Sequence, residues 1–439
     1  MNILPDAENE IGGLKMDDSA AHASDRVAIP QQGRSWCDVR ADLVRRKAAD
    51  YDWRAGRLPL YVYHDGDELL SVTRDAYDLY FSENALGGRA FPSLAGMERE
   101  IVQMSLGLFH APEGADGSFT TGGTESIFLA LKTARDFFRA RSAQEVKPKV
   151  VMPVTAHPAF DKAAHYLGID VVRVRVASDL RVDLSDMNAA VDGRTMMIVG
   201  SAPCYPYGVY DSIAQLGELA QSRRVWLHVD ACLGGFLAPF VREEGYSIPE
   251  FDFTVPGVAS LSADLHKHGF AARGASVILY RLSSYKAYQT FEFNEWPRGT
   301  YCTETFPGSR PGGAIASAWA VLQYLGREGY RRLARKTMSA KERLVRGIEA
   351  IPGMEVLSPS DLSILVYRSR TKEFDIDAVA EELTQKGWFV GRTSQPRAIH
   401  FAVNAVHAPV VEEYLRDLKD AVRVVRRSGR VGHQDDRTY

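Results

Sequence analysis

The spacing of apolar and polar residues changes period several times along the chain, and each change predicts an element. Residues 35–55 follow a helical period, with Val39, Leu43 and Val44 along one side and Arg45, Arg46 and Lys47 on another. Residues 56–95 are rich in Gly, Pro and aromatic side chains and predict loop and short helix, whereas 96–109 (GMEREIVQMSLGLF) predict an amphipathic helix. A regular alternation then begins. A helix follows the T-T-G-G-T-E-S segment at 120–126 and runs to about residue 141. β-Branched runs predict strands over 149–154, 171–176, 195–200, 225–230 and 275–281, with helices over 160–167, 184–191 and 213–224 and the segment 259–267 before the last strand. Strands separated by helices of this length imply right-handed βαβ units and a mostly parallel sheet, whose ligands lie at the carboxyl ends of the strands.

After residue 329 the character changes. A long charged helix over 330–349 leads into short strands at 354–357 and 363–368, a helix over 376–386, a strand over 398–403 and a last helix over 409–426. The expected organisation is a loose tail (1–34), an N-terminal segment (35–110), a large α/β domain (111–329), a small α+β domain (330–427) and a second tail (428–439).

Composition narrows the function classes. The 439 residues are too many for one ordinary core, which fits a large domain plus a smaller one. Lys and Arg number 53 against 56 Asp and Glu, a formal charge of −3, so no polyanion partner such as nucleic acid is expected. The four cysteines, Cys37, Cys204, Cys232 and Cys302, are far apart, which suggests neither a zinc site nor disulfides and fits a reducing cytosol. The first thirty residues lack the apolar core of a signal peptide, and no stretch approaches the roughly 20 apolar residues of a membrane helix. A soluble cytoplasmic protein without a membrane anchor is the expectation.

Three segments at predicted strand ends or helix starts carry candidate chemistry. In T-T-G-G-T-E-S the glycines bring bare N–H groups near a ligand, the following helix offers its positive end and Thr124 adds a hydroxyl: an anion cradle suited to phosphate. Gly-Gly before a helix also serves as a plain capped turn. In W-L-H-V-D-A-C-L-G-G (226–235) an apolar strand ends in Asp230, which could keep a pyridine nitrogen protonated so that the ring acts as an electron sink. A strand-end Asp also caps turns. In S-L-S-A-D-L-H-K-H-G (260–269) Lys267 sits between His266 and His268, where a partly dry site would make its amine nucleophilic toward an aldehyde. Most lysines are solvated surface groups. The order of cradle, Asp230 and Lys267 nonetheless points to a pyridoxal-phosphate site with Lys267 as the Schiff-base lysine.

The segments T-T-G-G-T-E-S, A-H-P-A-F-D-K-A (156–163), H-V-D-A-C-L-G-G-F (228–236), S-A-D-L-H-K-H-G (262–269) and G-S-R-P-G-G (308–313) resemble the sphingosine-1-phosphate lyases. More broadly they resemble the group II decarboxylase family of fold-type I pyridoxal-phosphate enzymes, from about residue 58 to about residue 418. The resemblance implies an α/β fold of the PLP-dependent transferase type with pyridoxal 5'-phosphate as cofactor. Lys267 would then bear it, Asp230 face its ring nitrogen, His157 stack on the ring, and Gly123, Thr124 and His266 bind its phosphate. It also implies a homodimer in which the loop around Gly312 and Gly313 reaches the neighbouring subunit's site.

For the substrate, the resemblance implies a small amino compound whose phosphate is held by Tyr63, Arg273 and Ser309, with Tyr205 beside the lysine. Tyr205 serves equally as a packing aromatic. Arg273 replaces the lysine usual in these enzymes and keeps its charge. Their Asn-Pro-Leu-His-Pro segment appears as Asn84-Ala85-Leu86-Gly87-Gly88, so Gly87 stands where a substrate-binding histidine is expected. Losing that donor should weaken phosphate binding by about 1.5–3 kcal/mol, which favours a smaller or differently charged amino compound over sphingosine-1-phosphate itself. The implied reaction is retro-aldol carbon–carbon cleavage of an amino alcohol, with Lys267 or Tyr205 carrying protons. α-Decarboxylation of an L-amino acid is the alternative on the same residues.

Overall fold

The computed structural model describes residues 27–142, 146–357 and 360–433, so the tails expected at 1–34 and 428–439 lie outside the described residues over 1–26 and 434–439. The chain forms two units, 1–50 and 51–439. In the first, helix Trp36–Lys47 starts at Ser35, whose hydroxyl accepts from the Asp38 amide at 3.2 Å, and none of its residues is buried.

The second unit is built on a seven-stranded sheet: β1 (Asp116–Thr120), β2 (Lys149–Pro153), β3 (Asp170–Val174), β4 (Thr195–Ser201), β5 (Trp226–Asp230), β6 (Val258–Ala263) and β7 (Ser276–Tyr280). The spatial order is β1-β7-β6-β5-β4-β2-β3. Strands β6, β5, β4, β2 and β3 are parallel to one another, and β7 runs antiparallel to both of its neighbours, β1 and β6. Strands β2 (KVVMP) and β4 (TMMIVGS) are buried along their whole length, as a sheet covered on both faces demands. Helices Gly123–Arg141, Ala159–Leu167, Leu184–Ala190 and Ile213–Arg223 fall between the strands as the alternation predicts.

Three features escape the periodicity. Residues 56–95 contain a 14-residue helix, Gly66–Leu79, of which only Leu69 and Thr73 are buried. A hairpin, β8 (Phe291–Phe293) with β9 (Tyr301–Thr303), is too short for a period to register. The long helix expected from residue 330 starts at Gly312 and runs to Glu349, broken at Gly326, whose φ of 52° and ψ of −174° no helix accommodates. Its first half carries Ile315, Ala318, Val321 and Leu325 into the core of the large sheet, and its second half carries Leu344 and Ile348 into a separate core. The shift from apolar to charged composition therefore falls inside one bridging element.

That second core belongs to a four-stranded antiparallel sheet of β10 (Met354–Val356), β11 (Ile364–Ser369), β12 (Gly391–Ser394) and β13 (Arg397–Ala402), in the order β10-β11-β13-β12. Helices Ile376–Gln385 and Val411–Ser428 pack with it around Tyr367, Trp388, Phe401 and Tyr414. Buried polar ties join the small sheet to the large one. His268 Nε2 lies 2.9 Å from Ser363 Oγ, His400 Nε2 lies 2.9 Å from the Tyr205 carbonyl, and Asp361 binds both Arg181 (2.8 Å) and the Tyr210 amide (2.9 Å).

Phe401 is 1% exposed, with the rings of His407 and Tyr414 each 4.9 Å away. Phe401→Ala should therefore cost about 3–5 kcal/mol of stability. Chemical denaturation checks this; a loss under about 1 kcal/mol would mean that the small core does not depend on this ring.

Candidate functional site

Strands β1, β2, β4, β5 and β6 end around one cavity of about 670 Å³ on the carboxyl rim of the large sheet. Thr121, Gly122, Gly123 and Thr124 follow β1, His157 follows β2, and Ser201 and Pro203 lie at and beyond the end of β4. Asp230 ends β5, Cys232 comes next, and Asp264, His266 and Lys267 follow β6. Tyr61, Tyr63, Lys162, Tyr205 and Arg273 complete the wall. The three segments singled out by their residue types thus meet in space.

The cradle is held open from below. The Thr121 amide and hydroxyl both donate to Glu125 Oε2, at 2.7 and 2.6 Å, while Glu125 Oε1 accepts from the Phe306 amide at 2.8 Å. A Cβ on Gly123 would lie 2.8 Å from Cys232 Sγ and 3.0 Å from both carboxylate oxygens of Asp264, so only glycine fits at this first turn. The result is a helix amino terminus that faces the cavity with bare backbone, the geometry a phosphate needs.

Asp230 is 8% exposed and oriented by its neighbours: Oδ1 accepts from the Cys232 amide (3.0 Å) and from Ser262 Oγ (3.4 Å). Ser262 in turn contacts His228 Nε2 at 3.3 Å, and His228 Nδ1 meets Ser260 Oγ at 2.8 Å. His157 is oriented by the Ala159 amide, which donates to its Nδ1 at 3.1 Å. Lys267 Nζ pairs with Asp264 Oδ2 at 2.9 Å, a partner that residue types alone had not singled out although it stands three positions upstream in S-A-D-L-H-K. Burial, the largest single effect, works against the lysine's charge, but the groups around it, Asp264 foremost, together hold the ammonium's pKa above its ordinary value.

A cluster of imidazoles surrounds this charge. Burial pushes His266 down to about 4, His228 to about 4 and His268 to about 3, so all three are neutral at pH 7. The neutral His266 ring accepts the Ala275 amide on Nδ1 at 3.3 Å, and the Tyr63 ring lies edge-on to His268 with centroids 4.7 Å apart.

Not every residue implied by the resemblance reaches this cavity. Asn84 Nδ2 donates to Ser309 Oγ at 3.0 Å on an outer loop, and Asn84 Oδ1 accepts from the Leu86 and Arg310 amides (3.0 and 3.2 Å). Gly312 and Gly313 are buried at the start of the long helix, where a Cβ would strike Glu83 and Tyr77. Lys162, which had been assigned no role, supplies a second cation to the wall.

Acid should weaken the fold. His228, His266, His268, His400 and His407 have native pKa values of about 3 or 4 because of burial, against 6.5 for an ordinary imidazole. As pH falls below 6.5 they take up protons in the unfolded chain before the folded one, so stability present above 6.5 is lost on the way down to about 4. Denaturation midpoints should show a loss of at least about 2 kcal/mol between about pH 7.5 and about pH 5; equal midpoints would mean that these rings are not buried neutral.

Comparison with known proteins supplies the chemistry that fits this donor set. Residues 58–370 match the pyridoxal-dependent decarboxylase conserved domain. A sphingosine-1-phosphate lyase of Oryza sativa subsp. japonica is 39% identical over 409 residues, covering 91% of this chain and 75% of that protein. One from Arabidopsis thaliana is 37% identical over 431 residues, covering 96% and 78%. The solved structure of a sphingosine-1-phosphate lyase from Burkholderia pseudomallei K96243 superposes with a TM-score of 0.87 at 36% identity, covering 94% of this chain and 96% of that one. The cofactor is pyridoxal 5'-phosphate, the enzyme is a lyase, and the chain belongs to the pyridoxal-dependent decarboxylase family.

Proposed function

We propose that the enzyme cleaves a phosphorylated amino alcohol of the sphingosine-1-phosphate type, releasing an aldehyde and a phosphorylated amine, in place of the smaller or differently charged compound that Gly87 alone suggested. The observation that carries this reading is Arg273. Its guanidinium lines the cavity and makes no hydrogen bond or ion pair among the described residues, so the wall offers a fixed, always-charged fork to an incoming anion. Lys162 adds a second positive charge to the same wall. The names borne by the relatives from Oryza sativa, Arabidopsis thaliana and Burkholderia pseudomallei support the same substrate class.

In this reading Lys267 would bear the cofactor, Gly123 and Thr124 would hold its phosphate at the helix terminus, and neutral His266 would lie against that turn. Asp230, oriented by the Cys232 amide and Ser262, would serve the ring nitrogen, and His157 would stack on the ring. When bound, the cofactor supplies an electron sink for the pair left behind when the carbon–carbon bond breaks. Tyr63 and Arg273 seat the substrate anion. The substrate hydroxyl gives up its proton as its carbon becomes the aldehyde carbonyl, and the amine-bearing carbon gains one. Tyr205, on the wall beside Lys267, and Lys267 itself are the proton carriers.

The active assembly in this reading is a homodimer. The Asn84–Ser309 pair and the loop before Gly312 lie on an outer surface with exposed Phe81, Leu86 and Phe306, an apolar patch suited to a second copy that would receive these residues in its own site. Gly87 belongs to the same surface, and a Cβ there would come no closer than 3.6 Å to any neighbour, so a side chain is sterically permitted.

Lys267→Ala should abolish the borohydride-trappable cofactor adduct, and trapping at the wild-type level would end the assignment. Product analysis with sphingosine-1-phosphate should give an aldehyde without carbon dioxide, whereas carbon dioxide from an amino acid would point to a decarboxylase. Gly87→His should lower KM for the phosphorylated substrate by about tenfold or more, consistent with about 1.5–3 kcal/mol for a charge-assisted hydrogen bond, and leave its unphosphorylated counterpart unaffected. Equal effects on both substrates would remove position 87 from phosphate recognition.

A further inference from the structure

A second buried carboxylate stands on the lysine side of the cavity. Asp264 directly follows β6, and its side chain is 2% exposed. Oδ2 lies 2.9 Å from Lys267 Nζ and 3.6 Å from His266 Nε2, while Oδ1 accepts from Ser276 Oγ at 2.6 Å. Ser276 Oγ is 3.0 Å from Ser126 Oγ, which is 2.6 Å from Thr120 Oγ1. A chain of hydroxyls from β7 through the first turn of helix Gly123–Arg141 to β1 therefore clamps the aspartate. Lys267 is the mobile partner, a quarter exposed and carried on a four-carbon stem.

We propose that Asp264 is the positioning residue for Lys267: it holds the lysine nitrogen beside the phosphate cradle whenever that nitrogen bears no covalent link. The proposal rests on Lys267 being the cofactor-bearing lysine. Asp264 itself acts through the lysine.

Charge balance around the nitrogen favours this pairing. His266 and His268 on the same loop are neutral, and burial lowers the pKa of His157, which faces the nitrogen from the end of β2. Burial raises the Cys232 thiol, so it stays protonated; Tyr63 faces the lysine from the N-terminal segment. The charged groups lining the cavity are then Glu125, Asp230, Asp264, Lys162 and Arg273, and of the described carboxylates only Asp264 lies within 4.0 Å of Lys267 Nζ. Burial alone would lower the lysine's pKa; Asp264 is the foremost of the groups that raise it.

Asp264→Asn keeps the shape and can still accept from Ser276, but removes the charge. Full-length cofactor-free protein is acylated with acetic anhydride across a pH series, and the Lys267 adduct is quantified by mass spectrometry. The wild-type midpoint should lie above the ordinary 10.5, and that of Asp264→Asn should fall by about two pH units or more, to below 10.5. Near neutrality the variant's lysine should then react about a hundredfold faster. Equal midpoints overturn the proposal, because a merely structural role would lower thermal stability without moving them. If the variant does not fold, the wild type decides: a midpoint at or below 10.5 overturns it. Adding pyridoxal phosphate to wild type and following the absorbance tests the cofactor assignment separately, since absence of a Lys267 adduct would end that reading without touching the midpoints.

Discussion

The site depends on the parallel pairing of β5 with β6. Their register sets Asp230 opposite Ser262 and His228 opposite Ser260, so two polar pairs share one face of an otherwise apolar layer. Because β6 stops at Ala263, the chain leaves the sheet beside Asp230, and the next turn delivers Asp264, His266 and Lys267 to the same rim. A slip of one residue would turn all of these groups to the opposite face. Bulky apolar strands on both sides make such a slip costly, so the hydrophobic pattern of the core fixes the placement of the polar site.

Three carboxylates, two lysines and an arginine line one cavity with His157 and His266, whose pKa values burial lowers. Asp230 is oriented by a backbone amide and a serine, Asp264 by a serine and the lysine. The two acids therefore stand in different surroundings and have different partners.

Much of this was legible in the chain. The parallel sheet followed from β-branched runs spaced by helices, and the cradle, Asp230 and Lys267 were visible because each breaks an apolar pattern at a strand end. Helix Gly66–Leu79 was read only as short helix within a stretch rich in Gly, Pro and aromatic residues, not at its full 14 residues. The long helix was read short because its two halves serve two cores and so differ in composition. Asp264 stood in plain view in S-A-D-L-H-K, but its importance lies in contacts with Ser276 and Gly123, which are distant in sequence. Asn84 and Ser309 could be paired only by resemblance, since 225 positions separate them.

The ties between the two sheets limit how the molecule can breathe. His268 is bound to Ser363 and Tyr205 to His400 across a dry seam, and His268 is the lysine's near neighbour in sequence. Swinging the small sheet outward would break those hydrogen bonds together. The small domain therefore braces the loop that carries Lys267 from behind the cavity, whose lining comes from residues 61–273.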